Sequence, residues 1–214
     1  MAKPTIIIVG AEKGGVGKTT ATRVLLHFLR SVGVANRAFD TEHPKGSLAR
    51  FYPAEIVDLT DSDDQIKVFD TVSDQIVTVI DIRAGLLTAM LKTLSVIGFL
   101  DPVKFNVIVL HVLGNTKDSL NEVPEIAERL RGVRYITVAN RTSETKYEFP
   151  PGVEIDIPHL NTKTAETVDA ANAAYHDFLA NPPVLVPTPS LVLRGYLGTW
   201  LDGIMAQIAA AKIP

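Results

Sequence analysis

One stretch constrains this chain more than any other: residues 6–20, Ile-Ile-Ile-Val-Gly-Ala-Glu-Lys-Gly-Gly-Val-Gly-Lys-Thr-Thr. Ile6, Ile7, Ile8 and Val9 are β-branched and uninterrupted, as in a strand buried on both faces. From Thr20 onward, Val24, Leu25, Phe28 and Leu29 recur at helical spacing. A glycine-rich loop between a strand and a helix start aims several backbone N–H groups at one point, and the helix dipole adds to their pull on an anion. Gly14, Gly15 and Gly17 permit the close approach a phosphate requires, with Val16 and Thr20 completing the main-chain cradle. Lys18 would then reach the β- and γ-phosphates, and the Thr19 hydroxyl would hold Mg2+.

The general phosphate-loop pattern wants a glycine five residues before Gly17, where Glu12 stands. What matches is the variant Lys-Gly-Gly-x-Gly-Lys-Thr-Thr, beginning at Lys13. This resembles the deviant Walker A loop of the ParA/MinD family of ATPases. The resemblance implies that Lys13 reaches across a dimer interface to the partner's nucleotide, and that ATP and Mg2+ are the ligands. The bland alternative is a glycine-rich turn with two incidental lysines.

Composition narrows the rest. The 214 residues suit one domain, spanning 1–214, with a sizeable core. The absence of cysteine excludes disulfides, thiolate metal sites and cysteine catalysis. A formal charge of -3 shows no dominant basic footprint for nucleic acid. The longest apolar stretch, 86–100, is interrupted by Lys92 and is too short for a membrane span, so a cytoplasmic location is expected.

Past a stop signal at Val32-Gly33, residues 35–39 read as a short strand ending at Asp40. The run 40–47, Asp-Thr-Glu-His-Pro-Lys-Gly-Ser, resembles the first switch segment of the same family, with Glu42 for an aspartate and His43 inserted. Asp40 and Glu42 could position an attacking water or order Mg2+. The alternative is a polar turn capping a helix from about Ser47. Residues 55–59 read as an edge strand. Asp58, Asp61, Asp63 and Asp64 read as a solvated turn and helix start rather than a metal loop. Ile66, Phe69 and Val72 mark a short amphipathic helix. The strand 75–81 ends in Asp81, placed to hold the Mg2+ water shell opposite Thr19. Arg83 follows in the second switch, as a phosphate or partner contact or as a surface ion pair.

Residues 86–98 read as a helix with a Leu87, Met90, Leu91, Leu94 stripe, and 105–113 as a central strand carrying a core histidine, His111. Residues 119–131 read as one helix, with Pro124 near its first turn and Arg129, Arg131 and Arg134 as the densest basic cluster. The strand 133–141 ends in Asn140-Arg141; the resemblance implies that Asn140 reads an adenine edge, which its amide chemistry suits, and the alternative is a turn asparagine. The strand over 153–158 and its Ile157-Pro158 resemble the same family's next strand, which implies a loop bordering the base with Pro158 as packing. Residues 164–179 read as a helix, 181–189 as a proline-rich connector, and the segment after Ser190 as a packed core helix rather than a membrane anchor, since its polar face lacks lysine and arginine.

Strands alternating with helices predict an α/β fold, a doubly wound and mainly parallel sheet of the phosphate-loop NTPase kind. The resemblance implies a slow ATPase that dimerises on ATP, positioning or partitioning DNA or another cargo with an adaptor or activator protein. Two rivals stand beside it. One is an ATP-dependent amidoligase or synthase of the cobyrinic-acid or dethiobiotin type. The other is a nucleotide-binding module with little hydrolysis.

Overall fold

The computed structural model describes residues 2–130, 132–141, 148–149, 151–180 and 188–214. Its centre is β1 (Thr5–Gly10), whose Ile6 to Val9 are fully buried. Around it lie β2 (Asn36–Asp40), β3 (Ala54–Ile56), β4 (Val77–Asp81), β5 (Asn106–Leu113), β6 (Arg134–Asn140) and β7 (Ile155–Ile157). The order is β3-β2-β4-β1-β5-β6-β7, and every pairing is parallel. Parallel neighbours require crossovers, and these carry α1 (Lys18–Ser31), α2 (Ser62–Phe69), α3 (Leu87–Val96), α4 (Lys117–Asn121) and α5 (Val123–Arg129); α6 (Thr162–Ala170), α7 (Tyr175–Ala180) and α8 (Leu191–Ala210) follow the last strand.

Alternation along β1 divides the core. Ile7 and Val9 join α1, α7 and α8 on one face, while Ile6 and Ile8 join α2, α3 and α5 on the other. Continuous apolar strands are what such two-sided burial requires. The expected doubly wound sheet is therefore present, with the loops after β1, β2 and β4 together at its carboxyl edge.

Several local expectations change. The predicted helix over 119–131 is two, α4 and α5, meeting at Glu122. Pro124 has no N–H for a continuous ladder and instead opens the second helix. The helix predicted over 164–179 is likewise divided, with Asn172 at φ +46 between α6 and α7. Val168, Tyr175 and Phe178 along this segment are nonetheless all buried. In α2 the buried residues are Val68 and Phe69, whereas Ile66 is exposed. Asp61 caps that helix through the N–H groups of Asp63 and Asp64, so the acidic run is helix-start chemistry. The edge strand is Ala54–Ile56, earlier than the predicted 55–59. Ser190 caps α8, whose Leu197, Trp200, Leu201, Ile204 and Ile208 are buried against the core. No helix among the described residues is long and apolar enough to cross a membrane. Most of the predicted connector 181–189, and Arg131 of the basic cluster, lie outside the described residues.

Candidate functional site

β1 ends at Gly10 and α1 starts at Lys18, so seven residues turn the chain at the sheet's carboxyl edge. Gly15 and Gly17 have φ of +75 and +83, where a side chain would be strained, and Gly17 is the residue that opens the helix. The first turn of α1 has no side-chain cap and no acidic residue, so its positive end is left to whatever fills the space in front. That space is a cavity of about 500 Å³. Gly14, Gly15, Gly17, Lys18, Thr19 and Thr20 form one wall; Glu42, His43, Pro44, Lys45, Arg83 and Ala84 form the other. Both predicted switch segments thus face the predicted phosphate loop.

Behind the loop sits Asp81, at the end of β4 and 4% exposed. Its Oδ2 accepts from the Thr19 hydroxyl at 2.9 Å and its Oδ1 from the Thr22 hydroxyl at 3.0 Å. Burial pushes the carboxyl up to about 7, against the opposing Thr19 hydrogen bond. Thr19 and Asp81 bring two hard oxygen donors together, the donor type that Mg2+ prefers. The Lys18 ammonium is lowered by burial and opposed by the carboxylates of Asp81, Glu42, Glu122 and Glu12, which help keep it charged. Its Nζ donates to the Lys13 carbonyl at 3.3 Å, folding the side chain back over the loop.

The remaining predicted residues divide. Glu42 lines the cavity, and its Oε2 accepts from the Ser47 hydroxyl at 2.5 Å. Asp40 is brought near but is not among the cavity walls. Its two oxygens accept the backbone N–H groups of Glu42, Leu48 and Ala49, and it is 1% exposed. Asp40 therefore shapes the first switch segment from beneath, through three backbone N–H groups. Lys13 also stands outside these walls, with its Nζ 3.1 Å from Asp118 of α4. Arg83 lines the cavity, and its backbone N–H donates to the Thr41 hydroxyl at 2.8 Å.

A second cavity of about 200 Å³ meets the first at Thr20. Asn140, Pro158, Leu160 and Trp200 are among its walls. Asn140 is buried, and its Nδ2 donates to the Val16 carbonyl at 2.8 Å. One amide N–H is thereby committed to the loop. The Pro158 carbonyl accepts from Trp200 Nε1 at 2.7 Å, which ties α8 to this wall. Val16 is nearly buried and packs on Gly114, where an added Cβ would lie 2.8 Å from Val16 Cγ1.

Three contributors were not read from the sequence. Thr22 follows Thr19 by almost one helical turn, a spacing that could have paired them on Asp81. Thr41 joins the two switch segments by donating its hydroxyl to the Asp81 carbonyl while accepting from Arg83. Arg23 is buried in the smaller cavity's wall, with its guanidinium 3.7 Å from the Phe51 ring centroid and 2.8 Å from Asp169. No group of three or more histidine, aspartate or glutamate residues among the described residues could hold a metal ion, so the 58–64 acids form no such cluster.

No protein-family model and no curated protein matches the chain. Among solved structures, a chain of the MinC:MinD cell division protein complex of Aquifex aeolicus superposes with a TM-score of 0.53 at 13% identity. The match covers 94% of this chain and 96% of that one. At that identity the likeness speaks for architecture alone, and the chain has a MinD-like α/β fold.

Proposed function

We propose that this chain is an ATP- and Mg2+-dependent switch of the ParA/MinD type, hydrolysing ATP slowly and pairing with a second copy while ATP is bound. The observation that carries the reading is the cavity of about 500 Å³ walled by the glycine-rich loop on one side and both switch segments on the other. A triphosphate there would meet the amides of residues 13–20, the Lys18 ammonium and the uncapped start of α1. Thr19 and Asp81 would hold Mg2+, which when bound supplies charge neutralisation for the phosphate oxygens. Glu42 would orient the water, a reading supported by its place in the cavity wall and by the three backbone N–H groups that engage Asp40. Asn140 and Pro158 would border the base in the adjoining cavity.

Switching follows from the shared wall. A γ-phosphate drawing on residues 42–45 and 83–84 at once would order both segments, and its loss would release them. Pairing of two copies would draw Lys13 from Asp118 toward the partner's phosphates. An exposed ion pair of this kind is weak, about 0–1 kcal/mol, so it offers little resistance. DNA, or another cargo handled through an adaptor protein, is the proposed downstream partner.

The test is light scattering and phosphate release with Mg2+ and ATP, with and without DNA, for wild type and Lys13→Ala. ATP-driven dimers lost in the variant support the switch. A monomer that consumes ATP only with a small carboxylate would replace it with the synthase reading. ATP-driven dimers without phosphate release would leave a binding module.

A further inference from the structure

The arm that leads into the phosphate loop is gripped from behind by a buried polar chain that none of the proposed chemistry uses. Parallel register sets His111 of β5 beside Gly10, the last residue of β1, so the histidine lies directly under the loop's entry. His111 is fully buried. Its Nδ1 is 2.7 Å from the Tyr135 hydroxyl of β6 and its Nε2 is 3.3 Å from Glu122 Oε2. A carboxylate can only accept, so the network assigns the ring proton to Nε2 and makes Nδ1 the acceptor for the Tyr135 O–H. Burial holds the imidazole down at about 4, which keeps it in that neutral form. Glu122 stands at the break between α4 and α5, and the same Oε2 accepts the Glu12 backbone N–H at 3.0 Å. Burial pushes the Glu122 carboxyl above its ordinary range, and the Glu12 and Lys13 backbone N–H groups oppose that rise.

Glu12 occupies the position where the general loop pattern has glycine. Its side chain is turned away from the cavity and accepts the Thr88 N–H of α3 at 2.5 Å, and its carbonyl accepts the Gly85 N–H at 3.0 Å. Residues 12–13 are therefore held from both flanks, by Glu122 on one and by the second switch and α3 on the other.

Resting on the nucleotide reading above, we propose that Glu122, oriented by His111 and Tyr135, is a positioning residue that sets the loop's entry arm in its phosphate-binding shape before nucleotide arrives. It touches no phosphate; it acts through the Glu12 amide. A preset arm leaves less ordering to be done on binding, so the effect falls on affinity and not on turnover of the bound complex.

The experiment uses the full chain and three variants, Glu122→Ala, Glu122→Gln and Tyr135→Phe. Amide hydrogen exchange of residues 12–13 is followed without nucleotide, and Mg2+-ATP affinity and turnover are measured alongside. Glu122→Ala should speed exchange at the Glu12 amide and weaken ATP about tenfold, with kcat within about twofold. Glu122→Gln retains an acceptor oxygen and should restore both. Should Glu122→Ala not fold, Tyr135→Phe, which removes only the hydroxyl, should show the same pattern at about two- to threefold. Unchanged exchange at residues 12–13 overturns the proposal, as does unchanged ATP affinity in folded Glu122→Ala or Tyr135→Phe. If wild type binds no ATP, the nucleotide reading falls and the proposal with it, whereas equal binding by wild type and variant removes the proposal alone.

Discussion

Asp81→Asn should stabilise the apo fold at alkaline pH while removing its response to Mg2+ and ATP. A carboxyl that ionises near 7 in the fold but near 3.9 in the unfolded chain disfavours the folded state by about 4 kcal/mol once both are ionised. Because the folded value is the raised one, the stability is fully present below about pH 4 and is lost as pH rises through 7. About 2 kcal/mol of that loss falls between pH 5.5 and 8.5. Asparagine is neutral throughout and can still meet the Thr19 and Thr22 hydroxyls, accepting from one and donating to the other. Other groups titrate in this range, so the informative quantity is the difference between variant and wild type. Urea denaturation in EDTA at pH 5.5 and 8.5 measures it. The variant's advantage should grow by about 2 kcal/mol toward pH 8.5. Added Mg2+-ATP should raise the wild-type midpoint and leave the variant unmoved. A pH-independent difference, or a variant less stable at pH 8.5, would refute the claim that Asp81 is a desolvated carboxylate waiting for a cation.

Other expectations follow from neighbouring geometry. Gly114→Ala drives a Cβ to 2.8 Å from Val16 Cγ1, so chemical denaturation should show a loss of about 1–3 kcal/mol and calorimetry weaker ATP binding. Arg23 and Asp169 should respond asymmetrically: Asp169→Ala leaves a buried guanidinium without its carboxylate and should cost more, by about 1–3 kcal/mol, than Arg23→Met, which removes the charge altogether. Double-mutant denaturation curves check that ordering. Leu197→Ala should cost about 2–5 kcal/mol if α8 is a core helix, and a loss of vesicle binding with no change in stability would count against that role.

The fold was legible wherever burial on two faces imposes a run of apolar residues. β1, β4, β5 and β6 announce themselves in this way, and the helical stripe of α3 matches the buried set Leu87, Met90, Leu91 and Leu94. Boundaries failed where a local backbone event overrides periodicity. Pro124 divides one predicted helix and Asn172 divides another, while the apolar spacing runs on through both. The contact between Thr19 and Asp81 was legible because each lies in a motif with its own signature. Asp40 was legible in position but not in engagement, since its partners Leu48 and Ala49 are set by how the following loop folds back. The Glu12–Glu122–His111–Tyr135 chain was invisible to spacing. Its members are brought together by sheet register and by the α4–α5 break, across 110 residues between Glu12 and Glu122.

Calorimetric titration of the purified chain with ATP and Mg2+, beside Lys18→Ala, addresses the central claim most directly. One saturable site per chain is expected in wild type, with a loss of at least about tenfold in affinity for a folded variant missing the ammonium of this cavity-lining lysine. Absence of saturable binding by wild type, or equal affinity in the two proteins, would contradict it.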